Sequence, residues 1–160
     1  MQFVARPPAG DPPEDPQDSN PVSNDGFFPD VDPAKVRKAG RINANVTAAR
    51  LRAALIAAII TVGNDLGSWA ASQQSAGDAK LEDVPAVSID GTSRLVHAYH
   101  RAITCFAKAE VIERYRDFDT TAAGGKALDE LDASTDELRR DGVHAIRDIL
   151  GKGRTTVELI

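Results

Sequence analysis

TAARLRAALIAAIITVGNDLGSWAA, residues 47 to 71, decides the fold. Leu51, Leu55, Ile59, Val62, Leu66 and Trp69 recur at spacings of three and four. That period lays one apolar face along a helix. Thr47 stands where a helix N-cap belongs, and Gly77 is the first residue suited to close the C-terminus. Ala49, Ala53, Ile56 and Ile60 form a second apolar set on the same stretch. So wide a stripe fits the central helix of the domain core; the sharper reading is burial on two sides, one within the subunit and one between subunits.

The same reasoning extends outward. Asp32 followed by Pro33 is an N-cap with proline at the first helical position, so a short helix is predicted over 33–39, ended by Gly40. Residues 78–90, with Pro85, read as a connection. Asp90 is predicted to cap a long helix over 91–117, with Leu95, Tyr99, Ala102, Phe106, Ala109 and Ile112 inward. After a break at 119–125, Leu128, Leu131, Leu138, Ala145 and Ile149 predict a last helix over 126–150, closed by Gly151 and Gly153. The fold class is therefore all-α, a small helical bundle of one short and three long helices. Composition agrees: aromatics are 5% of the 160 residues, so Ala, Leu, Ile and Val must build the core.

The ends differ from the body. Residues 1–26 carry six of the nine prolines and read as an extended Pro/Asp-rich arm. Residues 27–153 are the helical domain. Arg154, Thr155, Thr156, Val157, Glu158, Leu159 and Ile160 read as a strand-like tail. A lone strand must borrow an edge to satisfy its N–H and C=O groups, so the tail is expected to dock on a partner. Phe27 and Phe28, adjacent aromatics before a turn, are expected to anchor against a helix or to form a second partner contact.

Charge is uneven. Residues 1–32 hold Arg6 against seven acids, while the remainder has 18 Lys and Arg against 17 Asp and Glu. The net charge of −5 thus belongs to the N-terminal end, and a near-neutral body gives no general reason to wrap nucleic acid. A DNA-binding packaging accessory would need a basic face from Arg50, Arg52, Arg139, Arg140 and Arg147. Alternating charges on helix surfaces are more often solvated or ion-paired. Cys105 alone cannot form an internal disulfide and suits a buried position in a reducing compartment. The start lacks the apolar run of a signal peptide, and 47–71, the nearest approach to a membrane span, is interrupted by Arg50, Arg52, Asn64 and Asp65. The chain is expected to stay in the cytoplasm.

Chemistry is poorly represented. His97, His100 and His144 do not make a zinc constellation with Cys105. Gly124-Gly125-Lys126 lacks the spacer, the Ser or Thr, and the preceding strand of a phosphate loop. No cofactor, metal or catalytic residue is expected.

Four blocks carry a resemblance. Phe27-Phe-Pro-Asp-Val-Asp-Pro-Ala-Lys-Val-Arg37, Leu81-Glu-Asp-Val-Pro-Ala-Val-Ser-Ile-Asp-Gly91, Glu113-Arg-Tyr-Arg116 and Ser134-Thr-Asp-Glu-Leu-Arg-Arg-Asp141 stand in order along the chain. Together they resemble the head-completion (L) protein family of contractile-tailed temperate phages. The resemblance implies a structural role without catalytic residues. It implies a head–tail connector adaptor: a homo-oligomeric ring of twelve under the portal protein, sealing the filled head and meeting neck and tail proteins, with DNA passing through the lumen.

Overall fold

The computed structural model describes residues 20–116 and 134–153. Four helices and one small hairpin make up its regular structure: α1 (Pro33–Gly40), α2 (Ala48–Ala76), β1 (Ser88–Ile89), β2 (Thr92–Ser93), α3 (Arg94–Arg116) and α4 (Thr135–Ile149). The fold is mainly helical, as the periodicity requires.

Capping sets the helix ends. Asp32 Oδ1 accepts from the N–H groups of Ala34 and Lys35 at 2.9 and 3.3 Å, and Pro33 occupies the first turn of α1. The stop differs in detail from the glycine expectation. Arg41, not Gly40, takes the left-handed conformation (φ 51°). Gly40 stays inside the helix, because a Cβ there would lie 3.3 Å from Thr104 Cγ2 and Ile42 Cγ1. Its small size lets α1 approach α3 closely. Thr47 Oγ1 caps α2 from Arg50 N–H, and Gly77 closes it at φ 109°.

The expected start of α3 is corrected. Asp90 and Gly91, both at positive φ, form the two-residue turn of the β1–β2 hairpin. Such turns match the right-handed twist of the strands and favour Asp-Gly. The helix begins three residues later, where Ser93 Oγ accepts from Leu95 N–H. The last helix is corrected too. Ser134 and Glu137 form a reciprocal capping box, so α4 starts at Thr135 and no single helix runs over 126–150. Leu128 and Leu131 lie outside the described residues.

α3 is the central layer. It packs most extensively on α4 and next on α2, while α2 and α4 barely meet. That position explains why α3 buries more than one face: Leu95, Tyr99, Ala102, Ile103, Ala107, Ala109 and Val111 are all buried, with Phe106 and Ile112 half-covered. α4 runs antiparallel to α3. Arg139 near its start pairs with Glu113 near the end of α3, and Arg94 at the start of α3 donates to the Asp148 carbonyl at the far end of α4.

α2 meets the length and composition of a membrane-crossing helix, contrary to the expectation that its charges rule this out. Its other face explains the apolarity: Leu51, Leu55, Val62 and Leu66 are fully buried in the core. Core helices satisfy the same criterion.

Candidate interaction surfaces

Phe27 and Phe28 settle as core anchors. They are 3% and 5% exposed. Phe27 meets Trp69 of α2 edge-on at 6.2 Å, and Phe28 stacks on Tyr99 of α3 at 4.9 Å. The first expectation for them, anchoring against a helix, is what the structure shows. The partner-contact reading gives way because the chain's own aromatics already cover both rings.

The turn that places them is built by side chains. Asp25 Oδ1 accepts from Phe27 N–H and Phe28 N–H, both at 3.0 Å. Asn24 Nδ2 donates to Tyr99 Oη at 2.6 Å. Burial pushes the Tyr99 phenol up to about 12, the hydrogen bond from Asn24 opposing and the nearby Asp25 carboxylate adding to the rise. Val22 is buried and pairs with Val31, so packed structure reaches several residues before 27, into what composition assigns to the arm. An apolar residue able to bridge a neighbour overrides the Pro/Asp character around it.

The second apolar set on α2 lies in the open. Ala49, Ala53, Ile56 and Ile60 are all exposed, the two isoleucines at 45% and 57%. They occupy the side of α2 opposite Leu51, Leu55, Val62 and Leu66. Gly63 and Gly67 continue the line, with nothing among the described residues within 4 Å of where a Cβ would stand. Val87 and Ile89 at the hairpin and Val143 on α4 are the other exposed large apolar residues among those described. Sequence reasoning missed the hairpin residues because 78–90 reads as connection. The Asp90-Gly91 pair was the signal that could have found them.

The arginines of the alternative basic face are largely committed. Arg139 grips Glu113 with two hydrogen bonds of 2.5 and 2.7 Å. Arg52 donates to the Asn20 carbonyl, and Arg147 to the Gly153 carbonyl. They sit on two helices separated by α3, not on one stripe.

Two of the histidines, His97 and His100, are built into the packing. His97 Nε2 lies 2.9 Å from the Ile89 carbonyl, where an Nε2–H tautomer donates to the hairpin. His100 is held below the usual imidazole range by burial first, then by Lys35 and His97. Burial raises the half-buried Cys105 thiol. Among the described residues no three or more His, Cys, Asp or Glu gather as a metal site. Residues 154–160, the expected docking tail, lie outside the described residues.

The four sequence blocks pair off in space. Leu81 N–H donates to the Phe27 carbonyl at 2.9 Å, joining the first block to the second. The Arg139–Glu113 pair joins the third to the fourth.

What the residues assemble is packing and surface: a small helical module with a closed core and an apolar helix face turned outward. Comparison with known proteins gives that module its family. Residues 22–160 match the phage head completion protein (GPL) family, and the chain belongs to it. It is 40% identical over 153 residues to the head completion/stabilization protein of Escherichia phage P2, covering 96% of this chain and 86% of that protein. It is 27% identical over 145 residues to the probable head completion/stabilization protein of Haemophilus phage HP1, covering 89% and 94% respectively. No solved structure matches it significantly. The family is structural, a set of phage head proteins.

Proposed function

We propose that the chain is a subunit of a head–tail connector ring. It docks beneath the portal, completes and stabilises the DNA-filled head, and offers a platform for neck and tail proteins. The observation that carries the reading is the outward stripe of Ala49, Ala53, Ile56 and Ile60. Exposed isoleucines at helical spacing, opposite a fully packed face, support a contact with another protein. A ring subunit must cover two side faces, one per neighbour, and this stripe supplies part of one.

The tail from Arg154 to Ile160 makes the second contact, adding a strand to an edge on the portal. Each such contact is weak alone. Repetition around a ring of twelve raises the effective concentration of every remaining arm once the first has bound, so the joint holds by avidity. The near-neutral body suits a lumen through which DNA must pass without being held. Assembly takes place in the host cytoplasm, and the finished ring sits at the virion neck. Its work is mechanical, not enzymatic.

Deleting residues 154–160 tests the docking step. The truncated chain keeps the helical circular dichroism of the full chain and no longer co-sediments with portal rings. Unchanged co-sedimentation would overturn the role given to the tail.

A further inference from the structure

The outward line on α2 has a register of its own. Ala49, Ala53, Ile56, Ile60, Gly63 and Gly67 follow one another at spacings of 4, 3, 4, 3 and 4. This is the alternation of a helix-pairing seam, in which the contact positions of each helix seat between those of the other. Gly63 is half-buried and the other five are exposed. No charged side chain stands in the seam. Arg50 and Arg52 flank its first turn.

The seam is also self-complementary. Turned end for end about Ala58, it maps Ile56 onto Ile60, Ala53 onto Gly63 and Ala49 onto Gly67. Each bulky residue meets its equal at the centre, and each alanine meets a glycine. The open space before Gly63 and Gly67 is the space that an alanine of an opposing helix would enter. A parallel pairing would instead set glycine against glycine and leave voids at one end. It would also bring the Arg50 and Arg52 of two copies together at the other. The antiparallel arrangement keeps those cations apart. In a two-stranded antiparallel seam the two kinds of contact position oppose each other, which is the pairing this mapping produces.

We infer that, before ring assembly, the free chain associates with a second copy through an antiparallel α2–α2 seam centred on Ile56 and Ile60. The occupant of the exposed stripe in the free protein is thus the same stripe of another molecule. Eighteen or so residues make a seam about 27 Å long. One helix wide, it falls short of the ~800 Å² per partner of a standard stable interface. The pair is therefore reversible, and ring neighbours can displace it. The inference rests on reading this stripe as a contact between copies, but not on portal docking.

Register-specific crosslinking of the full-length chain tests it. In a Cys105→Ala background, Ile56→Cys and Ile60→Cys proteins are oxidised separately and as a mixture. The expected result is a disulfide-linked dimer from the mixture and little from either protein alone. Crosslinking of Ile56→Cys with itself would show parallel pairing and overturn the inference. No crosslink in any sample, with a monomeric sedimentation mass at high micromolar concentration, would also overturn it.

Gly63→Leu supplies an independent check. Among the described residues nothing lies within 4 Å of where the new Cβ would stand, so helix content and melting are expected to hold while the dimer fraction falls at least tenfold. An undiminished dimer would place the contact elsewhere. If crosslinking appears only after residues 154–160 are deleted, the tail is the natural occupant and the inference fails. Portal co-sedimentation is scored on the same cysteine variants before oxidation. Binding without the crosslink would sink the α2 pair and leave the proposed function standing.

Discussion

Tyr99 shows how one side chain fastens the N-terminal segment to the bundle. Its ring stacks on Phe28, its hydroxyl accepts from Asn24, and it is almost wholly buried in α3. The buried phenol has a raised pKa of about 12 in the folded state, against about 10 unfolded. A raised folded pKa means that the native state holds its proton more tightly. The associated stability is complete below about pH 10 and is lost as pH rises towards 12. Absorbance titration near 295 nm should therefore find Tyr99 ionising together with unfolding, well above an ordinary tyrosine, and Tyr99→Phe should remove that step. A midpoint near 10 with the helices intact would contradict the account.

At the scale of elements, the α3–α4 contact turns on a glycine. A Cβ at Gly142 would stand 2.7 Å from Phe106 Cε2. Alanine raises helix propensity by up to about 1 kcal/mol over glycine. Displacing a packed ring costs about 1–3 kcal/mol. The clash should win, so Gly142→Ala is expected to lower stability by about 1 kcal/mol, read as a lower urea midpoint. Adding Phe106→Leu should recover part of the loss. A stabilised Gly142→Ala would show that Phe106 has free room to swing.

Elements were legible where periodicity and caps spoke together. Asp32-Pro33, Thr47 and Gly77 mark the ends of α1 and α2 in sequence and in structure alike. Signals failed where two devices share residue types. Asp90 suits a cap or a tight turn, and the pairing of Ser88–Ile89 with Thr92–Ser93 chose the turn. Gly40 suits a helix stop, but closeness to Thr104 claimed it for packing. The capping box at Ser134 was present in the sequence, masked by apolar residues on both sides that mimic one long helix. Phe27 and Phe28 were visible as anchors, but what they anchor to depends on Trp69 and Tyr99, 42 and 71 residues away. No local pattern carries such a pairing.

On the scale of the whole molecule, the exposed large apolar residues among those described lie on α2, at the hairpin and on α4, and only α2 sets two of them in one line. The core is closed by α3 between α2 and α4, with the segment from Val22 to Val31 pinned across it. Ile56 and Ile60 remain exposed on the side of α2 that faces away from the described core. A family of phage head proteins supplies the setting in which another molecule can cover them. We propose that this outward face of α2 is a contact between protein chains in the assembled particle. Cryo-electron microscopy of the assembled phage particle measures this directly. Density of a neighbouring chain is expected against Ile56 and Ile60 in every copy; a map with those side chains facing solvent in all copies would contradict the proposal.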